Sequence, residues 1–295
     1  MSNEHGRIID GKALANGFRQ DIADRIKKLE TRGRRVSLDA VLAEPESERQ
    51  RSSAHIYASN QKRMCEELGI EYHLHLLPAG ATYEDIAGRL LLLGKDENVT
   101  AIMLHLPVPE GIDTYRLQSM IEPSKDVEGV NPANIGNIVY GRSSLVPCTA
   151  LAVLKMIEST GVEIQGSRTV CIGASDIVGK PVAVLMMQRE ATVISCNVYT
   201  QGIKELARSA DILIVAVGKP DLVSADMVKP GAVVVDVGVN RIVDQVSGKR
   251  KTVGDVTFDA VREVAGWISP VPGGVGPVTV TMLLRNTVEA AAMHP

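Results

Sequence analysis

The stretch that most constrains the fold of this chain covers residues 169–181, TVCIGASDIVGKP. An apolar run, VCI, leads into Gly173, and Gly179 precedes a segment of helical composition, VAVLMMQRE. The pattern predicts a strand, a tight glycine turn and a helix, the unit in which open α/β sheets bind nucleotide phosphates. The helix N-terminus is expected to offer free N–H groups and a positive dipole end to a phosphate. An ordinary strand-to-helix turn has a similar sequence, so the two glycines alone leave both interpretations open.

Strand and helix patterns alternate along the rest of the chain. The predicted strands cover residues 36–44, 71–78, 99–109, 170–172, 191–199, 210–220 and 231–241. The predicted helices cover residues 12–31, 56–69, 83–96, 114–121, 150–160, 182–190, 202–210 and 278–294. This alternation predicts βαβ units and parallel sheets. Residues 45–53 are predicted to form an exposed loop, and residues 122–149 a turn-rich junction between domains.

Length and composition limit the classes of protein that fit. The chain has 295 residues, 45% of them apolar, and a net charge of −3. At roughly 100–200 residues per domain, two domains are expected. The charge gives no indication of nucleic-acid binding, and neither a signal peptide nor a membrane-spanning run is evident. Four widely spaced cysteines predict buried thiols in a cytoplasmic protein, with no disulfide and no metal site: Cys65, Cys148, Cys171 and Cys196.

Glycines follow three apolar strands in the second half of the chain, at Gly173, Gly218 and Gly238. Ligands of open α/β sheets bind outside the carboxyl ends of the strands. Three glycines at three such ends therefore favour a nucleotide site in a doubly wound unit over an ordinary turn.

Longer motifs resemble a known enzyme family. In chain order, GASDIVGKP, VAVGKP, DVGVNR, VGDV and SPVPGGVGPVTV closely resemble the bifunctional methylenetetrahydrofolate dehydrogenase/cyclohydrolase family. The first half agrees through IIDGK, CEELGI, LHLPVPEGI and KDVEGVNPANIG. The resemblance covers essentially the whole chain, and PVPGGVGP is its most specific string.

The resemblance implies an α/β fold of two domains with a cleft between them. An N-terminal α/β catalytic domain that binds folate would cover residues 1–146 and the closing helix 277–295. A Rossmann-like, doubly wound NAD(P)-binding domain would cover residues 147–276 and would form a homodimer. The implied reactions are hydride transfer from N5,N10-methylenetetrahydrofolate to NAD(P)+ and hydration of the methenyl product to N10-formyltetrahydrofolate.

The resemblance also assigns residues to each role. The predicted catalytic residues are Tyr57, Gln61, His105 and Glu128. The predicted cofactor-binding residues are Gly173, Ala174, Ser175, Ile177, Val198, Val217, Gly218, Val239 and Thr279. The predicted substrate contacts are Tyr57, Pro107, Glu128, Pro270, Pro272, Gly273 and Gly274.

The catalytic helix departs from the family pattern. The family has Tyr, then Lys four residues later and usually a second Lys two residues after that. This chain has Tyr57, Gln61 and Arg63. Residues four apart share one helix face, so Gln61 is expected beside Tyr57. Lys62 is a poor substitute because it is rotated by roughly 140° from Tyr57.

Two further positions of the folate half differ from the family. His105 stands where the family has Gln, and Glu128 where it has Asp. The family's acid hydrogen-bonds the amino-pyrimidine edge of the pterin, whose paired donors suit a carboxylate. The longer side chain of Glu128 either preserves this contact or reshapes the pocket. A different one-carbon or cyclic iminium substrate therefore stays an alternative.

The two reactions make different demands on the altered site. Hydride transfer needs the donor carbon positioned over the nicotinamide, and the cofactor carries the chemistry. Hydration needs a titratable group that activates water and moves protons. Lysine can supply it and glutamine cannot. We therefore expect dehydrogenase activity with weak or absent cyclohydrolase activity.

Two other functions stay open. Histidine titrates near neutrality, so His105 is a candidate replacement base with Gln61 in an orienting role, which would preserve both activities. A folate-binding protein without turnover is the other alternative, although the intact glycine motifs argue against it.

The cofactor preference depends on residues near the expected adenosine ribose. Val198 and Ala174 stand where NADP-dependent relatives often place Arg or Ser. No arginine is evident for a 2′-phosphate, and no acidic residue marks an NAD ribose either. This favours NAD without excluding NADP. Lys180 is a candidate phosphate contact, or simply a solvated lysine in the first turn of the helix.

Overall fold

The computed structural model describes residues 6–142, 145–243 and 248–293. The strands are β1 (Arg7–Ile8), β2 (Ser37–Ala43), β3 (Glu71–Leu77), β4 (Ile102–Leu104), β5 (Arg168–Ile172), β6 (Thr192–Cys196), β7 (Ile212–Val215), β8 (Val233–Asp236), β9 (Asn240–Val243), β10 (Arg250–Val253) and β11 (Trp267–Ile268). The helices are α1 (Gly11–Glu30), α2 (Glu48–Leu68), α3 (Tyr83–Lys95), α4 (Thr114–Gln118), α5 (Pro132–Val139), α6 (Cys148–Ser159), α7 (Gly179–Gln188), α8 (Ile203–Arg208), α9 (Phe258–Arg262) and α10 (Val275–Met293).

The chain packs into two compact units. One consists of the residues up to Gly17 together with Thr149–Met282, and the other of Phe18–Cys148 with the residues from Leu283 onward. The division after Cys148 lies close to the boundary expected at residues 146/147. The N-terminal strand β1, expected in the catalytic domain, instead pairs with β11 in the first of these units. A strand of two residues carries too little pattern to indicate which sheet it joins.

A six-stranded parallel sheet lies at the centre of the first unit. Its strand order is β1-β11-β8-β7-β5-β6, so β6 is at an edge. Every residue of β7 and β8 is buried, because both faces of these strands are covered. This explains their continuous apolar runs, ILIV and VVV. Val170, Leu213, Val234 and Ile268 belong to the buried cluster of this unit.

A three-stranded parallel sheet, in the order β3-β2-β4, lies at the centre of the second unit. All of β2 is buried, whereas the edge strand β3 leaves much of its length exposed. Ile86 and Leu90 of α3 share a buried cluster with Ile102 and Leu104 of β4. The core thus fixes β4, whose end carries the candidate site.

The loop predicted at residues 45–53 is wrong from residue 48 onward, because α2 begins at Glu48. The side chain of Ser47 caps the helix by accepting the N–H of Gln50. This first part of α2 is polar, so the apolar spacing that predicts a helix is missing from it. The predicted stop at Gly69 is confirmed by a left-handed backbone with φ 82°.

Two other segments differ from prediction. The turn-rich passage 122–149 contains α5, which begins with Pro132 after Asn131 accepts the N–H of Ala133. The single strand predicted at residues 231–241 is also wrong. It divides into β8 and β9, and β9 forms an antiparallel pair with β10.

Two expectations about the chain as a whole can be compared with the structure. The four cysteines are free and buried, which confirms the predicted buried thiols. Within the described part of the chain, no helix is long and apolar enough to span a bilayer.

Candidate active site

Helix α2 and the end of β4 bring three of the predicted catalytic residues together. Gln61 donates from Nε2 to the Sδ of Met103 over 3.0 Å. One turn earlier, the ring of Tyr57 lies edge-on to that of His105, with centroids 5.6 Å apart and an interplanar angle of 89°. The two helix residues, four positions apart, therefore both face the end of β4.

Gln61 presents an uncharged and only partly satisfied amide to this site. The side chain is 2% exposed, and its Oε1 has no hydrogen-bond partner among the described residues. A buried carbonyl oxygen without a partner is unfavourable, typically by about 1–3 kcal/mol. The oxygen is thus available to a donor on a ligand, whereas the amide cannot gain or lose a proton near neutral pH.

His105 is a buried, neutral histidine. Its backbone N–H donates to Val41 O over 2.9 Å, and its Nε2 lies 3.3 Å from the hydroxyl of Tyr72 on β3. Burial lowers the pKa of His105 to about 4. Sequence reasoning missed Tyr72, because a tyrosine inside a strand pattern carries no signal that distinguishes it from a packing residue.

Glu128 reaches the same strand end from a segment that runs beside β4. The N–H of Ile102 donates to Lys125 O over 2.7 Å, and Ile102 also forms a parallel bridge with Asp126. The backbone N–H of Leu104, two residues further along β4, acts to lower the pKa of the Glu128 carboxyl group.

The carbonyl oxygen of Val127, the residue before Glu128, accepts hydrogen bonds from two side chains. Asn286 donates from Nδ2 over 2.9 Å, and the Sγ of Cys148 donates over 3.2 Å. Asn286 also donates to Val146 O over 2.9 Å. These contacts fix the backbone next to Glu128, and sequence reasoning assigned no role to Asn286.

The carboxyl group of Glu128 is held in an environment that favours its neutral form. Its Oε2 is buried without a hydrogen-bond partner in the described residues. Burial, and then the neighbouring charge of Asp126, raise the pKa of Glu128 to about 8, against the effect of the Leu104 N–H.

Tyr57 combines an accessible ring with a protonated hydroxyl. The residue is 50% exposed. Burial of part of the side chain raises the pKa of Tyr57, and the charges of Glu128 and Cys148 raise it further. A half-exposed aromatic ring of this kind can pack against a planar ligand or donate a hydrogen bond to it.

Pro107, the remaining predicted contact in this unit, lies beyond the end of β4. It follows a cis peptide bond with Leu106 and is exposed. It lines a cavity of about 590 Å³ whose walls include Glu44, Glu46 and Glu110. An acidic rim of this kind does not favour the carboxylates of a folate tail.

In the other unit, the glycine turn after β5 is as tight as the motif predicts. Gly173 has φ 111°, and a Cβ atom there would lie 2.1 Å from Ala216 O. A Cβ atom on Gly179 would lie 2.0 Å from Gly173 O. Only glycine permits these approaches, which bring the first turn of α7 against the end of β5.

The expected free N–H groups at the start of α7 are not found. The N–H of Gly179 donates to Ser175 Oγ over 3.3 Å, that of Lys180 to Ser175 O over 3.0 Å, and Pro181 has none. The ammonium group of Lys180 forms an ion pair with Asp176. The prediction is therefore wrong for these positions, because the serine of the turn folds back onto the helix. The dipole of α7 still favours an anion here.

Eight of the predicted cofactor residues follow the carboxyl ends of parallel strands. They are Gly173, Ala174, Ser175 and Ile177 after β5, Val198 after β6, Val217 and Gly218 after β7, and Val239 after β8. Because the strands are parallel, these loops lie at one edge of the sheet. Thr279 instead lies in α10, where its Oγ1 donates to Val275 O over 3.1 Å.

Asp255 is a buried residue that shapes this edge and that sequence reasoning left without a role. Its Oδ2 accepts the N–H groups of Val217 over 2.7 Å and of Gly218 over 2.9 Å. Its Oδ1 accepts from Asn240 over 2.8 Å, and a Cβ atom on Gly238 would lie 2.1 Å from the same oxygen. The signal was present in the VGDV motif, since a buried carboxylate needs such donors.

The PVPGGVGP segment also belongs to this unit and runs into the first residues of α10, which begins at Val275. The bond between Val271 and Pro272 is cis, and Gly273 has φ 105°. A Cβ atom on Gly274 would lie 2.5 Å from Pro270 O. The residues predicted to contact substrate here therefore form one tightly folded turn.

Family models match both halves of the chain. The tetrahydrofolate dehydrogenase/cyclohydrolase catalytic domain matches residues 9–128, and the NAD(P)-binding domain of the same family matches residues 147–295. These descriptions confirm NAD or NADP as the cofactor and a tetrahydrofolate derivative as the substrate class.

Individual relatives agree over nearly their whole length. The bifunctional protein FolD of Rhodobacter capsulatus is 46% identical over 288 residues, covering 96% of this chain and 93% of the relative. That of Moorella thermoacetica is 42% identical over 285 residues, covering 97% and 98%.

Solved structures show the same two-domain α/β fold. The bifunctional FolD methylenetetrahydrofolate dehydrogenase/cyclohydrolase of Campylobacter jejuni has a TM-score of 0.89 at 36% identity, covering 97% of this chain and 98% of that one. A Trypanosoma brucei FolD bound to NADP and an inhibitor has a TM-score of 0.88 at 36% identity, covering 98% of each chain. The chain belongs to the tetrahydrofolate dehydrogenase/cyclohydrolase family.

Proposed function

We propose that this protein oxidises N5,N10-methylenetetrahydrofolate by hydride transfer to NAD(P)+, and that its cyclohydrolase activity is weak or absent. The observation that carries the proposal is Gln61, a buried, uncharged amide where the family pattern has lysine. It removes a proton carrier from the site without removing the residues that hold a ligand.

The dehydrogenase step needs no protein acid or base. The methylene carbon would lose a hydrogen with both bonding electrons to NAD(P)+, and the folate would become a methenyl cation. The bound NAD(P)+ supplies the electron acceptor. On the folate side, the half-exposed ring of Tyr57 and the carboxyl group of Glu128 are suited to hold a planar pterin. Positioning of this kind supplies much of the rate of such a step.

The cyclohydrolase step lacks a suitable proton carrier near Gln61, the position where the family pattern has lysine. Water adds to the methenyl carbon, the five-membered ring opens, and one proton is released. Gln61 cannot accept that proton, and His105 is a poor base because burial lowers its pKa to about 4. Glu128 does titrate in the right range, but the family resemblance assigns it to the amino-pyrimidine edge of the pterin. That edge is opposite the N5 and N10 atoms which carry the one-carbon unit.

Full bifunctional activity is the second candidate function, and the relatives described as bifunctional proteins favour it. In that case His105 would act as the base, oriented by the hydroxyl of Tyr72 at 3.3 Å. A His105→Gln variant separates the two candidates. Under bifunctional activity the variant loses hydrolysis of methenyltetrahydrofolate, whereas under the proposed function hydrolysis is slow before and after the change.

NAD is the cofactor that the nucleotide unit favours. The loop after β6, Asn197 to Thr200, contains no basic residue, and its Val198 and Tyr199 are 88% and 87% exposed. A 2′-phosphate at this position would gain no charged partner from the loop. The initial rates with equal concentrations of NAD+ and NADP+ measure the preference directly, and a faster rate with NADP+ would reverse it.

We further propose a cytoplasmic homodimer formed through the nucleotide unit. The free thiols of all four cysteines support the compartment. The edge position of β6 leaves backbone groups available for a second copy. Sedimentation equilibrium of the purified protein should give twice the mass of one chain, and a monomer would contradict the proposal.

The dehydrogenase assignment is tested by incubating the purified protein with methylenetetrahydrofolate and either cofactor. We expect reduced cofactor to form in proportion to protein. If tetrahydrofolate binds but no cofactor is reduced, the protein is a folate-binding protein without turnover, or it acts on another one-carbon or cyclic iminium substrate.

A further inference from the structure

We propose that Glu128 holds a proton in the free protein and releases it to solvent when a reduced folate binds. This inference rests on the proposed binding of a folate to this site, and it assigns Glu128 a role in coupling that binding to pH. The starting point is the geometry of the carboxyl group. Its Oε2 is buried without a hydrogen-bond partner among the described residues.

Among the described residues, Asp126 is the titratable group whose charge disfavours a negative charge on Glu128. Asp126 lies two residues away on the same segment, Tyr57 lies on α2, and Cys148 lies at the start of α6. All three are neutral or negative. In the part of the chain that the structure describes, no lysine or arginine counts among the groups that shift its titration, and only the Leu104 N–H opposes burial.

Burial raises the pKa of both neighbouring acids, but Asp126 has more hydrogen-bond donors that favour its ionised form. Its Oδ1 accepts the N–H of Gly129 over 3.1 Å, and its Oδ2 accepts from Asn131 over 2.7 Å and from Asn134 over 2.9 Å. Donors aimed at a carboxylate favour its charged form. The buried Oε2 of Glu128 has none among the described residues. Two neighbouring acids do not both ionise readily, so the proton is held by Glu128.

Binding of a pterin favours the ionised form of Glu128 instead. Its amino-pyrimidine edge presents two N–H donors side by side, which match the two oxygens of a carboxylate. A protonated carboxyl group would direct its own O–H at one of these donors. Binding therefore requires the Glu128 O–H bond to break, with the electron pair retained on oxygen and the proton passing to solvent. No other reactant is consumed.

The coupling has a predictable dependence on pH. Burial raises the pKa of Glu128 to about 8 in the free protein. Below this pH the carboxyl must lose its proton before the folate binds, so the affinity falls by about tenfold for each unit of acidification. Above it the affinity becomes independent of pH. If binding took up a proton instead, the affinity would rise on acidification.

Isothermal titration calorimetry with tetrahydrofolate at pH 7 tests the proposal. Repeating the titration in buffers of different ionisation enthalpy gives the number of protons released. The wild-type protein should release close to one per site. Glu128→Gln should release none and should bind with an affinity that does not vary between pH 6 and pH 8. Glu84→Gln, which removes an exposed carboxylate from α3, should behave as the wild type does.

Binding of tetrahydrofolate to the wild-type protein without proton release would overturn the proposal. Infrared difference spectra provide a measurement that does not depend on how a variant folds: the protonated carboxyl band should disappear from the wild-type protein on binding, and its persistence would contradict the proposal. A failure of the proposed function looks different. In that case the proton is released on binding, but no cofactor is reduced with methylenetetrahydrofolate.

Discussion

Gln61 and His105 together determine which proton transfers the folate site can perform. Gln61 contacts the sulfur of Met103 and leaves Oε1 without a partner in the described structure, so the site retains a polar contact but no base. His105 is buried and neutral. The lack of a base at Gln61 follows from its identity in the sequence, but the neutral state of His105 does not, because the pattern does not show burial.

Restoring the lysine should restore hydrolysis. In Gln61→Lys, a buried ammonium group with a lowered pKa can exchange protons near neutral pH. We expect the rate of methenyltetrahydrofolate hydrolysis to rise on the order of 100-fold, the size typical of general acid–base catalysis. Gln61→Met is the matched control, because it fills the position without a titratable group. An unchanged rate in a Gln61→Lys protein that retains dehydrogenase activity would contradict the assignment.

The pH dependence of the free energy of unfolding should also reflect the neutral state of His105. The histidine has an ordinary pKa of 6.5 and one of about 4 in the folded protein. As the pH falls from 6.5 to 4, the unfolded chain takes up the proton first. The stabilising contribution is therefore complete above pH 6.5 and is lost towards pH 4, on the order of 3 kcal/mol.

His105→Gln removes this dependence and leaves the other titrating groups in place. Urea titration measures the free energy of unfolding of both proteins. The value for the wild type minus the value for the variant should decrease as the pH falls from 7 to 4. A difference that stays constant over this range would show that His105 titrates normally in the folded protein.

Among the secondary-structure elements, those with strong periodicity were predicted well and those that depend on tertiary contacts were not. The strands β2, β3, β5 and β7 and the helix α3 fall where apolar spacing places them. The first turns of α2 were missed because they are polar, and α5 because its Pro, Asn and Gly residues are typical of turns. The caps at Ser47 and Asn131 decide the outcome. The glycine turn before α7 was predicted, but the bonding of its N–H groups to Ser175 was not.

The turn between β5 and α7 should tolerate no side chain at Gly179. A methyl group there would lie 2.0 Å from Gly173 O, a backbone atom that cannot move without displacing β5. We expect Gly179→Ala to lose most of its affinity for NAD+ and to be destabilised by roughly 2–4 kcal/mol.

Gly88→Ala is the matched control for this turn, because a Cβ atom on Gly88 of α3 meets nothing within 4 Å. This control should be as stable as the wild type or more stable, since alanine favours a helix over glycine by about 1 kcal/mol. Equal NAD+ affinity in the Gly179→Ala variant and the wild type would show that this turn does not contact the cofactor. Fluorescence titration of the cofactor measures both variants.

For the chain as a whole, sequence motifs were sufficient for the family and for two α/β units, because the strings around its glycines are long and specific. They were not sufficient for the assignment of β1 to the six-stranded sheet, which is decided by pairing with a strand more than 250 residues away. The roles of Tyr72, Asn286 and Asp255 were also missed. Tyr72 and Asn286 act through tertiary contacts that no local pattern encodes, whereas Asp255 lies in the VGDV motif, whose role was not recognised.

The decay of purified methenyltetrahydrofolate in the presence of this protein tests the account at its most specific point. The same preparation must first reduce NAD+ or NADP+ with methylenetetrahydrofolate, which establishes that it is active. We predict that decay then proceeds at nearly the rate seen without protein, because Gln61 and neutral His105 supply no base. Rapid decay that increases in proportion to protein concentration would contradict the account and would identify a working cyclohydrolase.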